Sequence, residues 1–265
     1  MTITIRAFQC YFVVGFVLFL SACRTAYYTA NTINTPLLSK KWDSEVAVST
    51  QFAIDRFSYK KAVNVQSVVA TTKYLAVLSN FSYYKDQQND AMHRCRYVDL
   101  GVGGYLPLLE QKGKPDEMLF SVSGFGGFSF GDIRHEATQN SFSTLRFNKF
   151  FTQLGLVFLE NTQNDLSFRV GAGIRINQMN FYSGKLYGSG VGTEYFTVFN
   201  KIDKLRTIYT KELCCNLGAN ISGYNVFVGL NIGNIDGMHS LNFNQNSLTM
   251  GVAFDICKVY LDLAK

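Results

Sequence analysis

Leu166-Ser167-Phe168-Arg169-Val170-Gly171-Ala172-Gly173-Ile174-Arg175-Ile176-Asn177 alternates without a break. Leu166, Phe168, Val170, Ala172, Ile174 and Ile176 are apolar, while Ser167, Arg169, Gly171, Gly173, Arg175 and Asn177 are polar or small. A period of two belongs to a β-strand, whose successive side chains leave opposite faces. The run exceeds the usual globular strand of about five or six residues. It suits the roughly 9–11 residues with which a tilted strand crosses a bilayer.

The same pattern recurs on either side. Tyr224, Val226, Val228, Leu230 and Ile232 oppose Asn225, Gly229 and Asn231, with Phe227 breaking the rule. Leu248 to Ile256 repeats it, with Gly251 and Asp255 on the small and polar face. Val98, Leu100, Val102 and Leu106 oppose Tyr97, Asp99, Gly101, Gly103 and Tyr105, and Val46, Val48 and Phe52 oppose Glu45, Ser49 and Gln51. No window past residue 43 keeps a helical period over helix length. The spacing predicts an all-β, antiparallel up-and-down membrane barrel of about ten strands (8–12). They fall near 44–53, 60–70, 74–85, 95–107, 117–130, 147–160, 165–178, 208–219, 223–232 and 247–259.

The connections carry independent information. Tight turns follow the second, sixth and eighth strands at Thr71-Thr72-Lys73, 161–164 and 220–222. Longer polar stretches are expected at 86–94, 131–146, 179–207 and 233–246, whereas the first connection is short and that at 108–116 longish. Compact turns on one side and loops on the other are the habit of outer-membrane barrels. Glu45, Asp99, Arg169, Arg175 and Asp255 share the minority face with several glycines. Charges gathered among small residues are expected to line a narrow polar lumen, where Arg pairs with carboxylate. Periodicity alone leaves a soluble barrel, with these charges outside, open.

Charged residues make up 17% of the 265, aromatics 15%, with 22 glycines and only 3 prolines. That is a strand composition. The net charge of +6 comes without any dense basic block, so nucleic acid is not an expected partner. At the N-terminus, Arg6 precedes the apolar run Tyr11 to Leu20, which is too short to span a membrane. Leu20-Ser21-Ala22-Cys23 then looks like a lipobox, the pattern in which cleavage precedes a Cys that is acylated. The expected organisation is a signal peptide at 1–22, a lipidated extended linker at 23–43 that begins at Cys23, and a barrel domain at 44–265. Arg24, rather than Asp, follows Cys23, so retention at the inner membrane is not signalled. Cys95, Cys214, Cys215 and Cys257 have no metal-ligand spacing. Buried apolar thiols are expected.

The chain resembles the short lipoproteins of Bacteroidetes that are described only as outer-membrane β-barrel proteins. The shared pieces are the lipobox, the segment from Tyr28 to Leu38 with Asn34-Thr35-Pro36-Leu37-Leu38, and a strand pair, Val63-Asn64-Val65-Gln66 with Leu75 to Tyr83. Asp99-Leu100-Gly101-Val102-Gly103-Gly104-Tyr105, the Gly-rich run from Ser121 to Phe130, and Phe168-Arg169-Val170 complete them. The chain departs from that pattern at Lys40-Lys41-Trp42, where such proteins carry a Lys-Gly-Glu turn. The resemblance implies an outer-membrane location and a barrel fold but no activity.

Three histidines, His93, His135 and His239, fall in expected outer loops, without local ligand spacing. His135, Glu136 and Ser141 contain the residue types of a hydrolase, but a working triad needs a held nucleophile and an oriented base. The Gly-rich runs 101–104 and 124–127 lie within strands and lack the Lys-Ser/Thr of a phosphate loop. Trp42, Tyr83, Tyr84 and Tyr105 are expected in interfacial girdles. No catalytic residue, metal or cofactor is expected, and the expected partner is outer-membrane lipid. The leading expectation is a non-enzymatic structural or surface-interaction barrel acting through its outer loops. The alternatives are a narrow small-solute channel and a periplasm-facing barrel that carries an apolar ligand.

Overall fold

The computed structural model describes residues 33, 35–38, 41–53, 59–88, 91–110, 118–138, 141–161, 166–187, 207–221, 224–235 and 245–256. Ten strands account for nearly all of them: β1 (Ser44–Ala53), β2 (Tyr59–Ala70), β3 (Leu75–Gln88), β4 (Ala91–Glu110), β5 (Met118–Thr138), β6 (Ser141–Asn161), β7 (Leu166–Tyr187), β8 (Thr207–Ile221), β9 (Tyr224–Ile235) and β10 (Gln245–Asp255). Each pairs antiparallel with its neighbours in chain order, and β1 pairs with β10 to close the barrel. Closure gives every strand a partner on both sides, the condition for placing a sheet in hydrocarbon.

The register decides what each face carries, because directly opposed residues share a face. One outward row runs Val48, Val65, Phe81, Val98, Phe130 across β1 to β5. Exposed apolar side chains continue around the wall, among them Leu154, Leu156, Phe168, Val170, Ile174, Leu213, Leu217, Val226 and Met250. The inward face buries Ser49, Gln66, Asn80, Asp99, Gln153, Arg175, Asn231 and Thr249. A soluble barrel has the opposite arrangement. A continuous exposed apolar belt around a polar interior is the arrangement lipid selects.

The belt has sharp limits. On β4 the outward side chains are apolar from Val98 to Leu108, about the number a tilted strand needs. Opposite them, β5 is apolar at Phe128 and Phe130. The next outward pair is Arg96 and Asp132, which form an ion pair at 2.6 Å. Beyond that boundary β4 to β7 continue, with 20, 21, 21 and 22 residues.

This overhang corrects the expected loops at 86–94 and 131–146. Those residues extend β3 to β6, and the connections shrink to 89–90 and 139–140. Above the belt the outward face turns charged and the inward face turns apolar, so the polarity of the two faces exchanges while backbone pairing continues. The expected loop at 179–207 shortens to 188–206 because β7 runs to Tyr187, and with 236–244 it keeps this end the longer-looped one, so the two ends differ in strand overhang and in loop length alike.

At the opposite end Trp42 adopts a positive φ of 72°, uncommon for a residue with a side chain. Its N–H donates to Ala70 O, and Ala70 N–H donates to Asp43 O, both at 2.8 Å, which clamps the start of β1 to the end of β2. Trp42 and Tyr74 are exposed there, as are Tyr182, Tyr187 and Tyr209 towards the other end. Of the expected girdle residues, Tyr84 and Tyr105 instead point inward and are buried. They share the parity of Asn80 and Asp99, and Tyr105 Oη donates to Thr72 O at 2.9 Å.

Candidate functional site: a filled lumen

The lumen is occupied in three layers. In the half nearest the β2–β3 turn, residues 33 and 35–38 lie inside the barrel although they precede its first strand. Ile33, Thr35 and Leu38 are fully or almost fully buried. The wall makes room with glycines. A Cβ on Gly171 would fall 2.2 Å from Thr35 Oγ1, and one on Gly173 would fall 2.6 Å from Ile33 Cγ2. Main-chain carbonyls of the segment are held by wall side chains: Arg169 Nη2 donates to Thr35 O, and Asn216 Nδ2 donates to Ile33 O at 3.1 Å. Leu38 joins Val68, Ala70, Ala76, Leu78, Tyr105, Phe125 and Phe151 in an apolar cluster. Part of the expected linker 23–43 is thus a lumen segment.

Arg169 also reaches Glu45, with Nη1 to Oε2 at 2.7 Å and Nη2 to Oε1 at 3.3 Å. Asp255 stands opposite Glu45 in the register, half-buried. A forked guanidinium satisfied by one carboxylate and one carbonyl ties β7, β1 and the inserted segment together.

The middle layer is ionic. Asp99 receives Arg175 Nη1 at 2.8 Å and Lys149 Nζ at 3.1 Å, and none of the three side chains has solvent exposure. Arg175 Nε donates to Gln153 Oε1 at 3.1 Å, and its guanidinium lies 4.6 Å from the centre of the Phe151 ring. Lys149 Nζ lies 4.5 Å from the Tyr97 ring centre. Glu212, opposite Arg175 in the register, accepts from Asn177 Nδ2 at 2.8 Å. Sequence reasoning singled out Asp99 and Arg175 but missed Lys149 and Glu212. The signal for Lys149 was its parity with Phe147 and Phe151, which places a cation on the inward face.

The third layer lies in the overhang, beyond the belt. Tyr84, Cys95, Tyr97, Ile133, Leu145, Phe147, Met179, Phe181 and Ile208 form an apolar cluster. Beside it His93 and His135 are buried, with ring centres 4.0 Å apart and Nδ1 to Nδ1 at 3.0 Å. One ring donates its Nδ1 hydrogen and the other accepts it. This corrects the expectation that these histidines sit in exposed loops. His239 lies outside the described residues.

The hydrolase grouping is not assembled. Glu136 is on the opposite face from His135 and pairs outward with Arg94 and with Arg134, the latter at 2.8 Å. The side chain of Ser141 lies outside the described residues, and the residue opposite His135 is Ser143. Among the described residues no three His, Cys, Asp or Glu side chains cluster as a metal site. Cys95 and Cys214 are buried free thiols, and Cys215 faces outward. Cys23 and Cys257 lie outside the described residues.

A scan against protein-family models matched none, and no curated protein matched. Solved structures do match. The KdgM porin, crystallised with disordered oligogalacturonate, is 9% identical, covers 79% of this chain and 98% of its own, and has a TM-score of 0.33. The translocator domain of the autotransporter NalP from Neisseria meningitidis is 11% identical over 96% of each chain, at 0.33. The β domain of the Bordetella autotransporter BrkA is 11% identical over 81% and 99%, at 0.36. All three are outer-membrane barrels. At such identities and scores the likeness carries no argument, and the barrel rests on the strand pairing itself.

Proposed function

We propose that this chain is a non-enzymatic outer-membrane barrel, lipid-anchored at Cys23 in the manner of the Bacteroidetes lipoproteins it resembles. Its role is structural or surface-interacting, through the projecting β4–β7 overhang and the connections at that end. The observation that carries the reading is the pairing of an apolar exterior with a filled interior. The belt of Phe, Leu, Val and Ile needs lipid. The inserted segment, the Asp99–Arg175–Lys149 layer and the apolar cluster leave the lumen occupied at three heights. An exterior of this kind argues against a soluble periplasmic carrier.

The test is fractionation with heat-modifiable gel migration, followed by conductance in planar bilayers. Outer-membrane fractionation, a boiling-dependent band shift and no steady conductance are expected. A band that does not shift, in a protein soluble without detergent after Cys23→Ala, would overturn the reading.

A second reading, the narrow channel, is favoured by one feature. The half of the lumen nearest the β2–β3 turn holds residues 33 and 35–38, which belong to no strand of the wall. Deleting 33–38 and recording conductance distinguishes the two readings. Conductance that appears only in the deletion supports a gated channel, and silence in both supports the sealed barrel.

A further inference from the structure

Cross-strand neighbours of like charge destabilise a sheet unless something offsets them. Just above the apolar belt, on the outward face, Lys85 stands directly opposite Arg94, and Arg94 directly opposite Arg134. One step nearer the belt the row is Tyr83, Arg96, Asp132, Arg146. Five cations, Lys85, Arg94, Arg96, Arg134 and Arg146, thus share one patch with two carboxylates, Asp132 and Glu136. Glu136 is shared between Arg94 and Arg134, and Asp132 engages Arg96. Lys85, Arg96, Arg134 and Arg146 are exposed. The row continues at both sides: Lys61 on β2 stands directly opposite Lys85, and on β7 the exposed Lys185 is separated from Arg134 only by Thr144. Across the barrel the register positions just past the belt carry Lys211, Asn234 and Asn246.

The depth of the patch identifies its counterion. It begins one residue pair beyond Val98 and Phe130, where acyl chains end and headgroups begin. Guanidinium forks match phosphate geometry. Directly below the patch the outward wall is bulky and apolar, with Val98 opposite Phe130 and then Leu100 opposite Phe128. Phe150 on β6 packs edge-on against Phe128, with ring centres 5.3 Å apart, and extends this surface. A basic cluster above an apolar wall fits a headgroup and its acyl chain together.

We infer that the outward face of β3–β6 binds a phosphorylated glycolipid of the surrounding leaflet, with Lys85, Arg94 and Arg134 on its phosphate and Leu100, Phe128 and Phe130 along its acyl chain. The inference rests on the membrane reading above. Bound phosphate offsets the like-charge row, and the protein gains a fixed lipid on the sector with the longest strands.

The experiment uses the full chain reconstituted in three vesicle compositions: phosphatidylcholine alone, phosphatidylcholine with phosphatidylglycerol, and phosphatidylcholine with bis-phosphorylated lipid A. After extraction into a neutral detergent, lipid retained on the protein is measured by native mass spectrometry. Lipid A retention about tenfold above phosphatidylcholine is expected, with its loss in Lys85→Gln/Arg94→Gln/Arg134→Gln. Arg146→Gln alone should lose part of it, which keeps the test decisive if the triple variant does not fold. Lys211→Gln, on the opposite sector, should retain it. Equal retention of all lipids, or a loss in Lys211→Gln as large as in the triple variant, overturns the site while the membrane barrel stands. Failure to insert into any vesicle overturns both.

Discussion

Arg175 on β7 meets Asp99 on β4 across the lumen, Nη1 to Oδ2 at 2.8 Å, with neither side chain exposed. The strands are not neighbours, so this ion pair braces the wall from within. Lys149 holds the other carboxylate oxygen at 3.1 Å. Asp99 therefore serves two cations, whereas Arg175 shares its carboxylate.

Unequal costs follow. Asp99→Ala leaves two buried cations without their carboxylate and should cost roughly 3–5 kcal/mol. Arg175→Met leaves Asp99 with Lys149 and removes the two guanidinium donors from Gln153 Oε1, a loss on the order of 1–3 kcal/mol. Urea unfolding in detergent, followed by circular dichroism, measures both. Equal small losses, within about 0.5 kcal/mol, would mean that these groups see solvent.

The inserted segment should be separable from the wall. Gly171→Val puts side-chain atoms where Thr35 Oγ1 lies, so the segment must leave while the pairing of β7 survives. In a background with the natural cysteines replaced, Thr35→Cys should resist a thiol reagent and become reactive once Gly171→Val is added. The barrel should keep its heat-modifiable migration. Equal reactivity in both backgrounds would show that the segment does not occupy the lumen.

Acid should weaken the overhang. His135 lies five positions past Phe130, where the outward face is charged, and thus outside the membrane-spanning part of β5. Burial lowers its pKa from 6.5 to about 4, against a smaller opposing pull from Glu136. The unfolded chain then binds more protons between those values, so stability is full above about pH 6.5 and falls as pH drops towards 4. His135→Asn should flatten the slope, read as protease resistance of the overhang against pH. A slope unchanged by the substitution would assign it to other groups.

Topology sets the last expectation. Cysteines at Asn140 and Gly190, in the connections of the overhang end, should react with an impermeant reagent on intact cells. One at Gln163, at the opposite end, should react only after the outer membrane is breached. In a separate strain Cys23→Ala should lose labelling by a palmitate analogue. The reverse accessibility pattern would invert the barrel, and unchanged labelling would remove the anchor.

Period two alone located the strands, because a half-buried strand must alternate wherever one face meets lipid and the other does not. From 166 to 177 the apolar face was legible residue by residue, and β1 begins and ends where alternation does. Where the wall leaves the membrane, charge moves to the outward face and apolar side chains to the inward one, and β4 and β5 could not be traced past Cys95 or Phe130. Only the register showed that Arg94, Arg134 and Lys85 stand abreast, since cross-strand neighbours are distant in sequence. Only the closed barrel brought Asp99, Lys149 and Arg175 together, and Ile33 and Thr35 into a space left by Gly171 and Gly173. Local pattern records which face a side chain takes, and closure decides which side chains that face brings into contact.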